Sequence, residues 1–178
     1  MNWNNLPCYT IGIFLALTSH VFCKERVVFA DEKLSIELPD GWKKSELNSK
    51  STLAGWESPD QTTSAFFSRF NAGNDTMEAI MDSVIDSYEE TKVLTVRKVD
   101  DYKSGTVKGV GNKKFPAIYT VADITVTAQP RDFELKYYLF VIDTGSAQYF
   151  MQASTTKPVR PAREKQILSM VKSLIARK

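Results

Sequence analysis

The stretch LSIELPDGW, residues 34–42, combines a short strand with the turn that ends it. Apolar and polar residues alternate up to Leu38, so the apolar side chains share one face of an extended segment. Pro39 lacks a backbone N–H and fixes its own φ, and Pro-Asp-Gly is strong turn chemistry. Trp42 follows at once, and we expect its ring to fold back and cap the end of the core. This core role is favoured over a ligand contact.

Two hairpins are predicted around this stretch. Arg26–Ala30 shows the same alternation and is expected to pair with Leu34–Leu38 across the acidic residues between them. Leu53–Ser58 and Ser64–Phe70 flank a Pro-Asp-Gln segment and are expected to form the second hairpin.

Further strands are predicted in the second half of the chain. The candidates are Val93–Val99, Gly105–Val110, Phe115–Ala128, Phe133–Ile142 and Gln148–Ser154. Asp143-Thr144-Gly145 is a good turn between the last two. Phe133–Ile142 is apolar on both faces, so this strand needs cover on both sides of the sheet.

Two amphipathic helices are predicted. The first has apolar residues at helical spacing, namely Met77, Ile80, Met81, Val84, Ile85 and Tyr88, and acidic residues opposite, namely Glu78, Asp82, Asp86, Glu89 and Glu90. Asp75 or Thr76 supplies its N-cap. The second spans Pro158–Lys178, with the apolar stripe Ile167, Leu168, Val171, Leu174 and Ile175. The predicted fold class is α+β: a mainly antiparallel sheet with helices packed on its faces, as an α/β/α sandwich.

Residues 1–23 are predicted to be a signal peptide, and residues 24–178 a single domain. The segment lacks Asp, Glu, Lys and Arg, and its apolar run from Tyr9 to Phe22 is shorter than a spanning helix needs. A retained membrane anchor is the alternative. Cleavage after Cys23 is favoured over cleavage after Ala30, which would discard half of the first hairpin. The mature protein is therefore expected to be secreted or periplasmic.

Processing after Cys23 would remove His20, the only histidine, and Cys8 and Cys23, the only cysteines. That loss excludes histidine-dependent nucleophile systems, thiol chemistry, disulfides and nearly every zinc, copper or iron site. We expect no enzyme activity, no catalytic residue, no metal site and no cofactor. An enzyme would depend on carboxylates, Lys, Tyr or Ser alone.

The charge balance gives no strong indication of a partner. Lys and Arg number 23 and Asp and Glu 21, a net charge of +2, so nucleic-acid binding is not expected. The C-terminal segment is locally basic, with Lys157, Arg160, Arg163, Lys165, Lys172, Arg177 and Lys178 against Glu164. Solubility and helix-end charge complementarity explain this better than an anionic membrane does, and pairing with the acidic helix is a further alternative. Membrane contact is expected only at the envelope surface.

Three other patterns are weighed as sites. Gly105, Gly109 and Gly111 match neither dinucleotide nor P-loop spacing, so strand-end and turn roles are favoured. The acidic pairs Asp82/Asp86 and Asp100/Asp101 are favoured as solvated surface over a calcium site. The aromatic residues Trp56, Phe66, Phe67, Phe70, Tyr119, Tyr138 and Phe150 are favoured as core, although some would line an apolar cleft if the sheet and one helix part slightly.

The order of these parts resembles the family built on the fold of PsbP, the extrinsic photosystem II protein, which includes the bacterial DcrB-like proteins. The resemblance is carried by LPDGW, the Leu53–Phe70 hairpin, TMEAIMDSVIDSY, FPAIYTVADIT, the paired FELKYYLFVI and QYFMQAS, and ILSMVKSLI. It implies a sheet between helices, export, and a role in assembly or binding. It transfers no catalytic set to this chain.

The sequence predicts an exported, non-catalytic binding or assembly module. Its partner is expected to be an unidentified protein or apolar ligand. A carrier of a lipid or other apolar small molecule is the alternative, and a carboxylate-based hydrolase is less favoured because no paired acids facing one cleft are discernible.

Overall fold

A computed structural model describes residues 25–46, 52–70, 75–128 and 131–177. The predicted signal peptide, with Cys8, His20 and Cys23, lies outside the described residues. Within those ranges the chain forms eleven strands and two helices: β1 Glu25–Phe29, β2 Leu34–Leu38, β3 Lys43–Lys44, β4 Thr52–Glu57, β5 Thr63–Phe70, α1 Met77–Glu90, β6 Leu94–Val99, β7 Lys103–Gly109, β8 Lys114–Ala128, β9 Arg131–Asp143, β10 Gln148–Thr156, α2 Pro161–Ser173 and β11 Ile175–Ala176.

The strands form one curled, mixed sheet in the order β1-β2-β11-β7-β8-β9-β10-β5-β4-β3. The long strand β8 pairs with β7 along its first half and with β6 along its second half. Neighbouring strands are antiparallel except β11 and β7, which run parallel. The prediction of a mainly antiparallel sheet with packed helices is confirmed at this level.

The central strand β9 has apolar contacts on both faces, as its sequence predicts. Leu139 and Val141 pack in a cluster with α1, whereas Phe140 and Ile142 pack in a larger cluster with α2. Alternating side chains of a strand point to opposite faces. The two helices therefore lie on opposite sides of β9, and the alternative that the acidic and basic helices pair is wrong.

The turn after β2 and its tryptophan are as predicted. The Trp42 N–H donates to the Pro39 carbonyl at 3.2 Å, and Gly41 takes the left-handed φ of 75° that this turn requires. The Trp42 side chain is 7% exposed in the α2 cluster, and its Nε1–H donates to Gln166 Oε1 at 3.4 Å. Trp42 thus joins the first hairpin to α2.

Helix α1 starts where its cap chemistry indicates. Thr76, rather than Asp75, is the N-cap, because its Oγ1 accepts the Ala79 N–H at 3.1 Å. Ile80, Met81 and Ile85 are buried against the sheet. Near its C-terminus the Tyr88 hydroxyl donates to Gln152 of β10, and burial raises the pKa of Tyr88.

Helix α2 is shorter than predicted. The sequence predicts helix to Lys178, but α2 ends at Ser173 and Ile175–Ala176 forms β11. β11 pairs antiparallel with β2 and parallel with β7, so its backbone bonds replace those of a further helical turn. Leu174 is buried as expected, whereas Leu168 is 40% exposed.

Candidate binding cleft

An apolar cleft of about 360 Å³ lies between α2 and the β7–β10 part of the sheet. Its floor is formed by strand residues, and its wall by the last two turns of α2. The lining residues are Gly105, Thr106, Val107, Lys108, Ala117, Ile118, Tyr119, Phe140, Ile142, Met151, Leu168, Val171, Lys172 and Leu174. The volume falls in the range of small-molecule sites, roughly 300–1,000 Å³.

Small residues in the floor leave this space open. Gly105 on β7 pairs with Ala117 on β8, so the two smallest side chains of the floor are neighbours. A Cβ placed on Gly105 would meet no heavy atom within 4 Å. Beside them Tyr119 and Phe140 stack with ring centroids 5.7 Å apart. The cleft therefore exists because Gly105 and Ala117 leave space unfilled beside the rings of Tyr119 and Phe140.

The mouth of the cleft combines an exposed apolar side chain with positive charge. Leu168 on α2 is 40% exposed there. Lys172 also lines the cleft and is exposed, and no Asp or Glu is among the lining residues. Lys108 lines the cleft as well, but its side chain alternates with that of Val107 and points to the other face of β7. Lys103 lies nearby, with its Nζ 5.8 Å from the centre of the Tyr119 ring.

A second hollow, of about 280 Å³, is polar. It is lined by Lys98, Asp100, Val121, Asp123, Lys136, Lys157, Pro158 and Val159. Each of its lysines pairs with a carboxylate: Lys98 with Asp100 at 2.6 Å, Lys157 with Asp123 at 2.8 Å, and Lys136 with Glu164 at 3.6 Å. Its charges are therefore neutralised within the protein.

The aromatic residues singled out by sequence mostly belong to the core. Of the seven, Tyr119 alone lines the apolar cleft. Trp56 and Phe67 pack edge to face with each other and with Phe29, Phe70 packs edge to face with Phe150, and the Tyr138 hydroxyl donates to Glu164 at 2.7 Å. Phe66 and Phe150 line a separate hollow beside Gln152. Sequence reasoning missed Phe140 as a cleft residue, although the two apolar faces of its strand were a signal for it.

The glycines and acidic pairs have structural surroundings. Gly105 lies within β7, Gly109 ends it against the Phe115 ring, and Gly111 has a left-handed φ of 70° in a short 3₁₀ turn. Asp82 accepts a hydrogen bond from the Tyr102 hydroxyl. Within the ranges that the structure describes, no three His, Cys, Asp or Glu side chains are grouped to hold a metal ion.

Comparison with solved structures relates this arrangement to known proteins. Cyanobacterial PsbP from Synechocystis superposes with a TM-score of 0.58 at 11% identity, over 96% of this chain and 97% of its own. The chain has the PsbP-like fold. The Ran-binding protein Mog1 of Saccharomyces cerevisiae gives a TM-score of 0.54 at 11% identity, over 86% of this chain and 95% of its own.

LpqN of Mycobacterium tuberculosis, described as involved in cell envelope biogenesis, has a TM-score of 0.51 and 12% identity, over 85% of this chain and 89% of its own. A Bacteroides thetaiotaomicron protein matches with a TM-score of 0.53 and 17% identity over 87% of this chain. The match covers 49% of the length of that protein. No family model and no curated protein matches the sequence.

In this PsbP-like fold, Asp60 ties the β4–β5 turn to the start of α2. It accepts hydrogen bonds from Arg163 at 2.6 Å, Arg160 at 3.1 Å and the Ser58 hydroxyl at 2.7 Å. The bond from Arg163 is the main reason that the pKa of Asp60 lies well below its usual range. Two of the predicted basic residues are thus engaged in holding the fold.

We expect Asp60→Asn to lower the free energy of unfolding at neutral pH by about 1 kcal/mol, since these bonds are charge-assisted but the site is partly exposed. Because the pKa of Asp60 is lower in the folded than in the unfolded chain, its carboxylate stabilises the folded state at pH values above the unfolded pKa of about 3.9. This stabilisation is lost as the pH falls from about 3.9 toward the folded-state pKa. The difference in free energy of unfolding between wild type and Asp60→Asn should therefore become smaller below about pH 4.

Urea unfolding at several pH values measures that gap. Asp40→Asn, at an exposed turn position, is the matched control and should give no gap of this kind. A gap for Asp60→Asn that stays constant down to about pH 2 would contradict the charge-assisted role.

Proposed function

We propose that this protein is an exported binding module that holds a partner protein and carries out no reaction of its own. The observation that carries the proposal is the fold shared with Mog1, which is named a Ran-binding protein, over most of both chains.

The polar hollow supports binding over hydrolysis. Asp100 and Asp123 each form an ion pair with a lysine, and the bond from Lys98 lowers the pKa of Asp100. A carboxylic acid that protonates a leaving group at neutral pH needs a raised pKa instead. Asp100 is therefore poorly suited to act as the acid in glycosidase-like chemistry.

Export is proposed with cleavage after Cys23. Cleavage after Ala30 would remove β1, which pairs with β2 along its whole length. It would also remove Phe29, whose ring lies 4.8 Å from that of Phe67 and 5.2 Å from that of Trp56. The envelope role stated for LpqN supports the same compartment. Among the described residues, no helix is both long and apolar enough to cross a membrane.

A second candidate function, carriage of an apolar small molecule, is favoured by the cleft. Its lining is predominantly apolar, it is accessible beside Leu168, and its volume suits a small ligand. The cleft would hold such a molecule against Tyr119 and Phe140.

Native mass spectrometry of the protein purified from its producing cells tests these functions together. A copurifying protein mass, reproduced by crosslinking in native extract, is the expected result for the partner-binding function. A small mass excess lost on denaturation would favour the carrier, and crosslinking that repeatedly returns only monomer would contradict partner binding. An N-terminus at Lys24 supports export, whereas an uncleaved Met1 would contradict the proposed processing.

A further inference from the structure

We propose that the cleft under α2 binds the chain of a single-chain amphiphile with an anionic head group, such as a fatty-acid carboxylate. The proposal rests on the carrier function above and adds the shape and charge of the ligand. Three observations carry it: the apolar floor, the gap at Gly105, and the lysines at the mouth.

The floor suits a flexible hydrocarbon chain. Val107, Ile142 and Met151 are buried apolar residues that line it, and Tyr119 and Phe140 lie beside them. Burying hydrocarbon on this surface is favourable by about 25 cal/mol per Å². No carboxylate lines the cleft, so an acyl chain would meet little that must stay hydrated.

The open space at Gly105 provides room for the hydrocarbon chain of the ligand. Gly105 and Val107 are two residues apart on β7, so a side chain at position 105 would project on the face where Val107 enters the α2 cluster. That side chain would meet open space. A ligand is therefore expected to occupy the volume that a larger residue at position 105 would fill.

The mouth sets the sign of the head group. Lys172 from the last turn of α2 lines the cleft, and Lys103, on the same face of β7 as Gly105, holds its Nζ 5.8 Å from the centre of the Tyr119 ring. Within the described chain neither lysine forms an ion pair. The C-terminal end of α2 carries partial negative charge, equivalent to about half an elementary charge. Two ammonium groups outweigh it, so the mouth is positive and favours a carboxylate, sulfate or phosphate head.

The test compares probes that share a chain and differ in charge. Laurate, dodecanol and dodecyltrimethylammonium, each kept below its micelle concentration, are titrated calorimetrically into the full-length protein freed of copurified lipid. We expect laurate to bind about tenfold more tightly than dodecanol, a difference of about 1.4 kcal/mol, and dodecyltrimethylammonium to bind least.

Matched variants test the location of the binding site and the contribution of the lysine charges separately. Gly105→Leu should abolish laurate binding, whereas Ser104→Leu, on the other face of the same strand, should preserve it. If Gly105→Leu folds poorly, Leu168→Asp gives the same readout from an exposed position. The double change Lys103→Glu and Lys172→Glu should weaken laurate binding about tenfold or more, and the control pair Lys92→Glu and Lys165→Glu should change it little.

Each contrary outcome has a distinct meaning. Equal affinity for laurate and dodecyltrimethylammonium would overturn the anionic head group and leave the carrier function standing. Laurate binding that survives both Gly105→Leu and Leu168→Asp would place the site elsewhere and overturn the proposal. Failure of all three probes to bind would overturn the carrier function as well, leaving partner binding.

Discussion

Replacing Ala176 with glutamate is expected to lower the free energy of unfolding by more than about 4 kcal/mol, the largest effect predicted for this chain. Ala176 is 0% exposed, and its backbone pairs with Leu34 of β2 on one side and Gly109 of β7 on the other. A carboxylate at this position would be buried between β2 and β7 without a cationic partner.

Arg177→Glu is the matched control. The neighbouring side chain is exposed, and the Arg177 backbone N–H still donates to the Lys33 carbonyl in either variant. Guanidinium unfolding monitored by circular dichroism should show a near-normal midpoint for Arg177→Glu and an unfolded or strongly destabilised Ala176→Glu. Similar midpoints for the two variants would mean that β11 is not required to hold the sheet together.

Trp42→Ala is expected to lower the free energy of unfolding by about 3–5 kcal/mol, because it empties a large site in a packed core. The indole is buried between the first hairpin and α2. Trp42→Phe should lose less than half as much, since a ring still fills part of the space. The 3.4 Å hydrogen bond to Gln166 is long and contributes little. Gln166 Oε1 also accepts from Arg163 at 2.7 Å, so Gln166→Ala removes both bonds and should cost about 1 kcal/mol.

The same urea series on these three variants gives the comparison. If Trp42→Phe cost as much as Trp42→Ala, the indole would matter through its N–H and not through the volume of its ring. If Trp42→Ala were neutral, the tryptophan after the turn would have no packing role.

Periodicity is enough to predict most of the sheet and both helices, because the elements of five residues or more carry an alternation or a helical stripe. It is not enough for β3 and β11, which have two residues each. Leu174 and Ile175 even continue the spacing of α2, so only the tertiary pairing with β2 and β7 shows where the helix ends.

The aromatic content of the sequence is compatible with an apolar cleft between the sheet and a helix, but the sequence does not predict where that cleft lies. Gly105 and Ala117 are twelve positions apart, and their pairing depends on the register between β7 and β8. Register also decides that Tyr119 faces α2 while Ile118 packs with α1. A one-residue slip would reverse those faces, and composition carries no information about it.

β11 also has a consequence for how the molecule assembles. Among the described residues, the backbone hydrogen bonds that join the β1–β2 hairpin to the rest of the sheet come from β11 and from Arg177, which follows it. Until they arrive, β2 and β7 each present an unpaired edge, which is a template for association with other chains. Pairing the first strands with the last raises the contact order and slows folding. The β2 and β7 edges can therefore be joined only after Ile175 and Ala176 have been synthesised, and both edges stay open until then.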